Sequence, residues 1–528
     1  MNSRHWFCAA LAALLVATPL LAATCDSLAS LKLADTSITS AAIVEAGAFK
    51  PPANIPAGGG FAAPPFAKLP AFCRVQGVLA PSSDSHIAFE VWLPAAGWNG
   101  KYHGEGNGGF AGSINYGALT ESVLSGYASS STDTGHEAGA TDARWALGHT
   151  EKIVDFGYRA IHETAERSKS IVSAFYGSSA KHSYFSSCSN GGRQALMEAQ
   201  RYPADYDGII AGAPAANFTH IAAAFDTNLQ AMTGAAYIPG SKYAAIENAV
   251  LAACDARDGV KDGVIEDPTK CDFKPSTLLC AGAESAACLT QPQVTALEKI
   301  YAGPKDSKGA QVYPGFEPGG QAGPGGWSLW ISGATPTASL EYAFGTQGSA
   351  YMIFQNAAWD LRKYNLDHDV KVADDTMGQR LDAIDPNLKA FKDRGGKLIL
   401  YHGWSDAALA PLATIHYYHS VMTKMGAKQT ADFVRLYMVP GMQHCGGGPG
   451  PDSFGATPGT RHADGESMSA ALEHWVEDRT APDKIVAAKF DAGKIMRTRP
   501  LCPYPQTAKY SGSGSTDEAA NFTCAAAQ

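Results

Sequence analysis

Past residue 23 the chain lacks any run approaching 18 uninterrupted apolar residues, so no segment reads as a helix able to span a bilayer. Charge is scarce as well: Asp, Glu, Lys and Arg make up 17% of 528 residues, and acids outnumber bases 50 to 41 for a formal net charge of −9. A chain so poor in cations is a weak partner for nucleic acid or an anionic membrane surface. No His-Glu-x-x-His zinc motif, no phosphate-binding loop and no internal repeat is present, which sets aside zinc proteases, P-loop enzymes and solenoids. Hydrophobic residues are 45% of the total, the proportion of a globular protein, and the length exceeds what one hydrophobic core supports. Two domains, or one with a large insertion, are expected.

The N-terminus has Arg4 and His5, then a largely apolar run from Trp6 to Leu21, then Ala22 and Ala23. This pattern predicts a secretory signal peptide over 1–23 and a secreted or periplasmic protein. A lipid anchor on Cys25 is disfavoured because Thr24, not Gly or Ala, precedes it. Cleavage would remove Cys8 and leave ten of the 11 cysteines, an even number that suits disulfides in an oxidising compartment. Connectivity does not follow from the count, although spacing favours Cys254 with Cys271, Cys280 with Cys288, and Cys502 with Cys524.

The segment 87–94, IAFEVWLP, alternates as a half-buried strand does. KYHGEGNGGFAG (101–112) reads as a short strand running into a glycine-rich loop, HSYFSSC (182–188) as a strand, NGGRQALMEAQRYP as a helix ended by proline, and YDGIIAGAP as another strand. Such a succession predicts a mostly parallel α/β sheet with helices on both faces. From about 216 to 387 the texture changes to loop-like cysteines, an Asp/Gly-rich segment and a Gly/Pro-crowded stretch from Pro314 to Gly326, read as an inserted lid domain between catalytic parts 24–215 and 388–528. The α/β rhythm resumes with KLILYHGWSD (397–406) and FVRLYMVPGMQHC (433–445), and 466–478 has the spacing of a closing helix. The tail is flexible in composition but pinned by Cys524.

Two cysteines adjoin residues that hydrolysis needs, Cys188-Ser189 and His444-Cys445. Were Cys188 and Cys445 to bond, their Cα atoms would lie within about 7 Å, and Ser189 and His444 would share one small volume. A serine hydroxyl needs an adjacent base, and the base needs an acid to hold its tautomer. Ser189, Asp406 and His444 follow one another in the order of an α/β-hydrolase, each at a strand end where such sheets carry their sites. The turn departs from Gly-x-Ser-x-Gly, with serine at 187 and Gly191 retained. The backbone N–H groups of Asn190 and Gly109 are the candidate oxyanion donors. His402, beside the strand KLILY, reads as hydrogen-bonded structure.

The Cys-Ser…Asp…His-Cys set, AGAPAANF, GEGNGGFAG, KLILYHGWSD and RTRPLCPYPQTAKY together resemble the tannase and feruloyl esterase family, which also contains hydrolases of terephthalate monoesters. The resemblance covers nearly the whole mature chain. It implies an α/β-hydrolase fold with a lid, Ser189 as nucleophile with Asp406 and His444, and the pairs Cys188–Cys445, Cys25–Cys73, Cys254–Cys271, Cys280–Cys288 and Cys502–Cys524.

In CDARDGVKDGVIEDPTKC (254–271), Asp255, Asp258 and Asp262 crowd one loop without EF-hand spacing. From the residues alone a solvated acidic loop fits as well as a metal site. The family resemblance implies a structural calcium here, with the carbonyls of Val260 and Val264 as further ligands and no organic cofactor. Between Gly309 and Leu361 there is no Lys or Arg, while Trp327, Trp330, Tyr342, Phe344, Tyr351, Phe354 and Trp359 are present. Most of these aromatics should be lid core, with one or two free to stack on an aromatic acyl group. A terephthalate carboxylate calls for a bidentate arginine, so the lack of one in this stretch favours small esters of neutral hydroxycinnamic or hydroxybenzoic acids. Trp404 and Leu409 are expected to border the acyl pocket. The rival from another class is a non-catalytic secreted protein that binds aromatic ligands.

Overall fold

The computed structural model describes residues 22–52 and 64–526; the expected leader, residues 1–23, falls almost wholly outside them. One nine-stranded sheet organises the molecule: β1 (Thr36–Val44), β2 (Phe72–Leu79), β3 (Ile87–Pro94), β4 (Lys101–Glu105), β5 (Ala128–Thr132), β6 (His182–Cys188), β7 (Gly208–Gly212), β8 (Lys397–Gly403) and β9 (Val434–Val439). In space they lie in the order β1-β2-β3-β5-β4-β6-β7-β8-β9. β1, β2, β3 and β5 pair antiparallel in succession, and from β5 to β9 every neighbour is parallel. This is the expected α/β-hydrolase arrangement.

Adjacent residues on a strand point to opposite faces, and here both faces are covered. Phe185, Ile209, Leu398, Leu400 and Leu436 join one core with the helices Ala160–Tyr176, Asn190–Arg201 and Pro411–Met425. Tyr184, Ile210, Ile399, Tyr401 and Tyr437 join another with the helix Met468–Glu477. Burial on both faces explains why β7 and β8 read as continuous apolar runs, whereas β2 on the antiparallel side alternates.

Between β7 and β8 the chain makes a long excursion, 213–396, that adds no strand to the sheet. Its helices include Phe218–Ala231, Tyr243–Cys254, Gln291–Ala302 and Leu340–Gln347. They close over a core of their own around Phe225, Ile246, Leu297 and Trp327, which also takes in Ala407–Ala410 from the loop after β8. Ala216 and Ala383, near the two ends of the insert expected over 216–387, pack with the main core instead. The glycine-rich stretch lies flat on the loop after β8: a Cβ on Gly320 would sit 2.3 Å from the Cβ of Ser405.

Five disulfides form, Cys25–Cys73, Cys188–Cys445, Cys254–Cys271, Cys280–Cys288 and Cys502–Cys524. The C-terminal region carries more order than its composition suggests. Two hairpins, Ile485–Asp491 with Lys494–Leu501 and Gln506–Tyr510 with Phe522–Ala526, build it, and Cys524 lies in the last strand.

Candidate active site

β6 ends at Cys188 and a helix begins at Asn190, leaving Ser189 alone to make the turn. It does so with φ 66° and ψ −127°, a conformation that costs an L-residue of order 1–3 kcal/mol and must be held by its surroundings. Its N–H donates to Gly212 O (2.9 Å), and its carbonyl accepts from Ala215 N–H (3.1 Å) and Arg193 N–H (3.1 Å). Serine at 187 fits because its neighbours give way: a Cβ on Gly191 would stand 1.9 Å from Ser187 Oγ, and one on Gly106 2.6 Å from it.

Beyond β9, the loop reaching His444 is held by Gln443, whose Nε2 donates to Gly320 O (3.0 Å) and Ala322 O (2.9 Å) of the excursion. The Cys188–Cys445 bridge, Cα atoms 6.0 Å apart, sets this loop against the end of β6. Ser189 Oγ is 2.9 Å from His444 Nε2, and His444 Nδ1 is 2.8 Å from Asp406 Oδ2. Asp406 is fully buried, and its Oδ1 accepts the N–H groups of Ala408 (2.8 Å) and Leu409 (2.9 Å). A second histidine shares it. His402 Nε2–H donates to Asp406 Oδ2 and to Leu409 O, both at 3.1 Å, while the Thr414 hydroxyl donates to Nδ1 (2.7 Å). Burial works against the Asp406 carboxylate, but the His444 charge and hydrogen bonds from His402 and His444 outweigh it and hold the carboxyl below its usual range. The reading of His402 as hydrogen-bonded structure holds, although the sequence did not reveal that its partner is Asp406.

Gly109 (φ 57°) and Asn190 both line the cavity in front of Ser189. Among the described residues neither N–H donates to a protein acceptor, so both are free to meet a ligand oxygen. The cavity measures about 1020 Å³. One part of its wall is aromatic: Phe110 meets Phe344 edge to face (centroids 5.1 Å), Phe344 stacks with Trp330 (6.0 Å), and Trp330 presents its edge to His444 (4.9 Å). Of the seven aromatics singled out between 309 and 361, Trp330 and Phe344 reach this cavity, and Trp327 is interior core. Leu409 lines it too, but Trp404 does not. Trp404 N–H still bonds to Val439 O as an extension of the sheet, which commits its side chain to the main core. Helix residues Phe218 and Phe225, and Arg461 from the loop after His444, also line the cavity and were not anticipated. Phe225 sits in an apolar helical pattern that announces burial alone, and Arg461 lies outside the cation-free stretch between Gly309 and Leu361.

The sequence model for "Tannase and feruloyl esterase" matches residues 73–525. The chain belongs to this tannase and feruloyl esterase family. It is 43% identical to an uncharacterised esterase of Xanthomonas campestris pv. campestris over 98% of this chain and 93% of that protein. With the mono(2-hydroxyethyl) terephthalate hydrolase of Piscinibacter sakaiensis it shares 34% identity over 87% and 86% of the two chains. Among solved structures, feruloyl esterase B from Aspergillus oryzae superposes with a TM-score of 0.87 at 29% identity, covering 95% of this chain and 99% of that one. The protein is accordingly a carboxylic ester hydrolase of the tannase and feruloyl esterase type.

The acidic loop that the family resemblance marks for calcium is compact. Asp255 Oδ1 accepts the N–H groups of Gly263 (3.1 Å) and Asp262 (3.3 Å), and Asp258 Oδ1 that of Val260 (2.8 Å). Burial, and then the charges of Asp262 and Asp255, push the Asp258 carboxyl up to about 6. The loop's carboxylates are hard oxygen donors of the kind that suits a calcium ion. Arg499 Nη2 (2.5 Å) and Arg497 Nη1 (3.3 Å) reach Asp262 and supply part of the balance. Among the described residues, the three potential ligand side chains that converge within 4.8 Å are elsewhere, at His162, Glu166 and Asp205.

Proposed function

We propose that this esterase cleaves esters of aromatic acids, hydroxycinnamic or hydroxybenzoic, by acylation and deacylation of Ser189. The observation that carries the proposal is the continuous hydrogen-bond chain Ser189–His444–Asp406 opening, beside two unpaired N–H groups, onto a cavity walled by Phe110, Trp330 and Phe344. His444 Nε2 takes the Ser189 proton as Oγ attacks the ester carbonyl, and Asp406 stabilises the imidazolium. The N–H groups of Gly109 and Asn190 receive the oxyanion. The same Nε2–H then protonates the departing alcohol oxygen. Water, deprotonated by His444, attacks the acyl-enzyme, and collapse of the second tetrahedral intermediate returns the proton to Ser189 and frees the acid. Within the excursion, residues 216–387 act as a lid carrying much of the aromatic part of the pocket. Asp255, Asp258 and Asp262, with the carbonyls of Val260 and Val264, would hold a structural calcium far from the reacting atoms in sequence. Five disulfides support an exported protein.

Terephthalate monoesters form a second reading, supported by the 34% identity shared with the mono(2-hydroxyethyl) terephthalate hydrolase of Piscinibacter sakaiensis. The decisive experiment is Ser189→Ala. Methyl ferulate hydrolysis should fall by about five to six orders of magnitude, as when a serine nucleophile is lost elsewhere, with the melting temperature retained. A fluorophosphonate should label wild type at Ser189 alone. Turnover persisting in the variant would refute the assignment.

A further inference from the structure

Arg461 is the one Lys or Arg side chain among the described residues lining the cavity. It is exposed, and its guanidinium packs over the Phe490 ring with Cζ 5.0 Å from the centroid. That contact braces the planar group while leaving its N–H edge open. Neither acid in the lining pairs with Arg461, and Glu105 Oε2 is buried without a partner among the described residues. Asp452 meets Lys489 Nζ (3.3 Å) and accepts Gly447 N–H (2.7 Å), and Glu105 Oε1 is held by His103 Nδ1 (2.8 Å) and Ser129 Oγ (3.0 Å). Arg461 therefore has no carboxylate partner among the described residues, and a planar donor fork beside an enzyme cavity is suited to a carboxylate on the ligand.

Which half of an ester would carry that carboxylate follows from the order of the walls. The aromatic side chains that suit the acyl group come from the loop after β4 and from the excursion, at Phe110, Phe218, Phe225, Trp330 and Phe344. The segment bearing Arg461 instead leads on directly from His444 and lines the cavity through Asp452, Phe454, Thr457 and Thr460. The alcohol oxygen must lie within hydrogen-bond reach of His444 Nε2 to leave as a neutral hydroxyl, so the alcohol extends along the segment that follows the histidine. We infer that Arg461 is a specificity residue for the leaving group: it binds a carboxylate on the alcohol, so that aromatic-acid esters of hydroxy acids are preferred to esters of simple alcohols. This inference rests on the reading of Ser189 as nucleophile.

The test is steady-state kinetics of the full-length protein on feruloyl lactate, methyl ferulate and mono(2-hydroxyethyl) terephthalate, comparing wild type with Arg461→Gln and Arg461→Lys. In Arg461→Gln, kcat/KM for feruloyl lactate should drop about tenfold, the scale of a charge-assisted hydrogen bond, while methyl ferulate changes by less than about twofold. Arg461→Lys, which keeps the charge but not the fork, should fall between them. Equal effects on the two ferulate esters, or no turnover of feruloyl lactate by wild type, would overturn the inference. A loss on the terephthalate monoester with feruloyl lactate untouched would place Arg461 on the acyl side and overturn it too. Failure of wild type on methyl ferulate would instead strike the esterase reading beneath it.

Discussion

Asp406 answers to two imidazoles. His402 is fully buried, and the Thr414 hydroxyl on its Nδ1 leaves Nε2 as the protonated nitrogen aimed at Asp406 Oδ2. It touches no substrate and acts by fixing the carboxylate that fixes the base. His402→Phe keeps a planar ring and removes the donor; kcat for methyl ferulate should fall roughly 10- to 100-fold with KM unchanged, by analogy with the loss of a hydrogen-bonded partner behind a metal ligand. A merely destabilised protein would lose melting temperature with kcat per folded molecule intact, so both are measured. Because Asp406 is depressed in the folded state, its contribution to stability is complete above about pH 4, the unfolded value, and erodes as pH falls through the lower folded value. At this scale the nearness of Ser189 to His444 was legible because each adjoins one cysteine of a single bridge, and that of Asp406 because it follows a strand end in chain order. Trp404 was misread because proximity to Asp406 in sequence says nothing about which face of the sheet a side chain takes. Arg461 was missed because it approaches the cavity from a segment with no aromatic or catalytic signature of its own.

Strand ends deliver the reacting groups, and loops set their final positions. The segments IAFEVWLP, HSYFSSC, KLILYHG and RLYMVPG all occur as strands or strand ends where their alternation or apolar runs place them, since a pattern of period two or a short β-rich run is a local property. The second C-terminal hairpin escaped notice because a Gly/Ser-rich stretch separates its strands at Tyr510 and Phe522, whereas the first closes locally through Ala492-Gly493. Loops depend on long-range closure: by the chain-entropy model a bridge across the 257 positions from Cys188 to Cys445 contributes about 5 kcal/mol. The acidic loop relies on charge compensation in the same way. If Asp255, Asp258 and Asp262 hold calcium, EDTA should lower the melting temperature by several degrees, restored by calcium and not by magnesium; an unchanged melting curve would make Arg497 and Arg499 the whole compensation.

Across the whole molecule, the sheet is insulated on both faces while the excursion buries acids in its interior. Asp226 on the helix Phe218–Ala231 accepts Ser349 Oγ (2.6 Å) through Oδ2, and its Oδ1 is buried without a partner. Nearby Glu341 accepts Asn228 Nδ2 (3.1 Å). Burial pushes Asp226 up to about 8, so it is protonated in the folded state at neutral pH, and burial raises Glu341 as well. The sign follows: the folded state binds protons that the unfolded state releases, so this contribution is full below about pH 4 and is lost as pH rises through about 8. The melting temperature should therefore decline from mildly acidic to alkaline buffer, and Asp226→Asn should flatten that decline; a slope identical to wild type would show that Asp226 titrates normally. The clasp between Cys188 and Cys445 has a bearing on the life of the protein as well as its chemistry. In a reducing, thiol-rich medium Ser189 and His444 would sit on two loops without that tether, so their juxtaposition depends on oxidation.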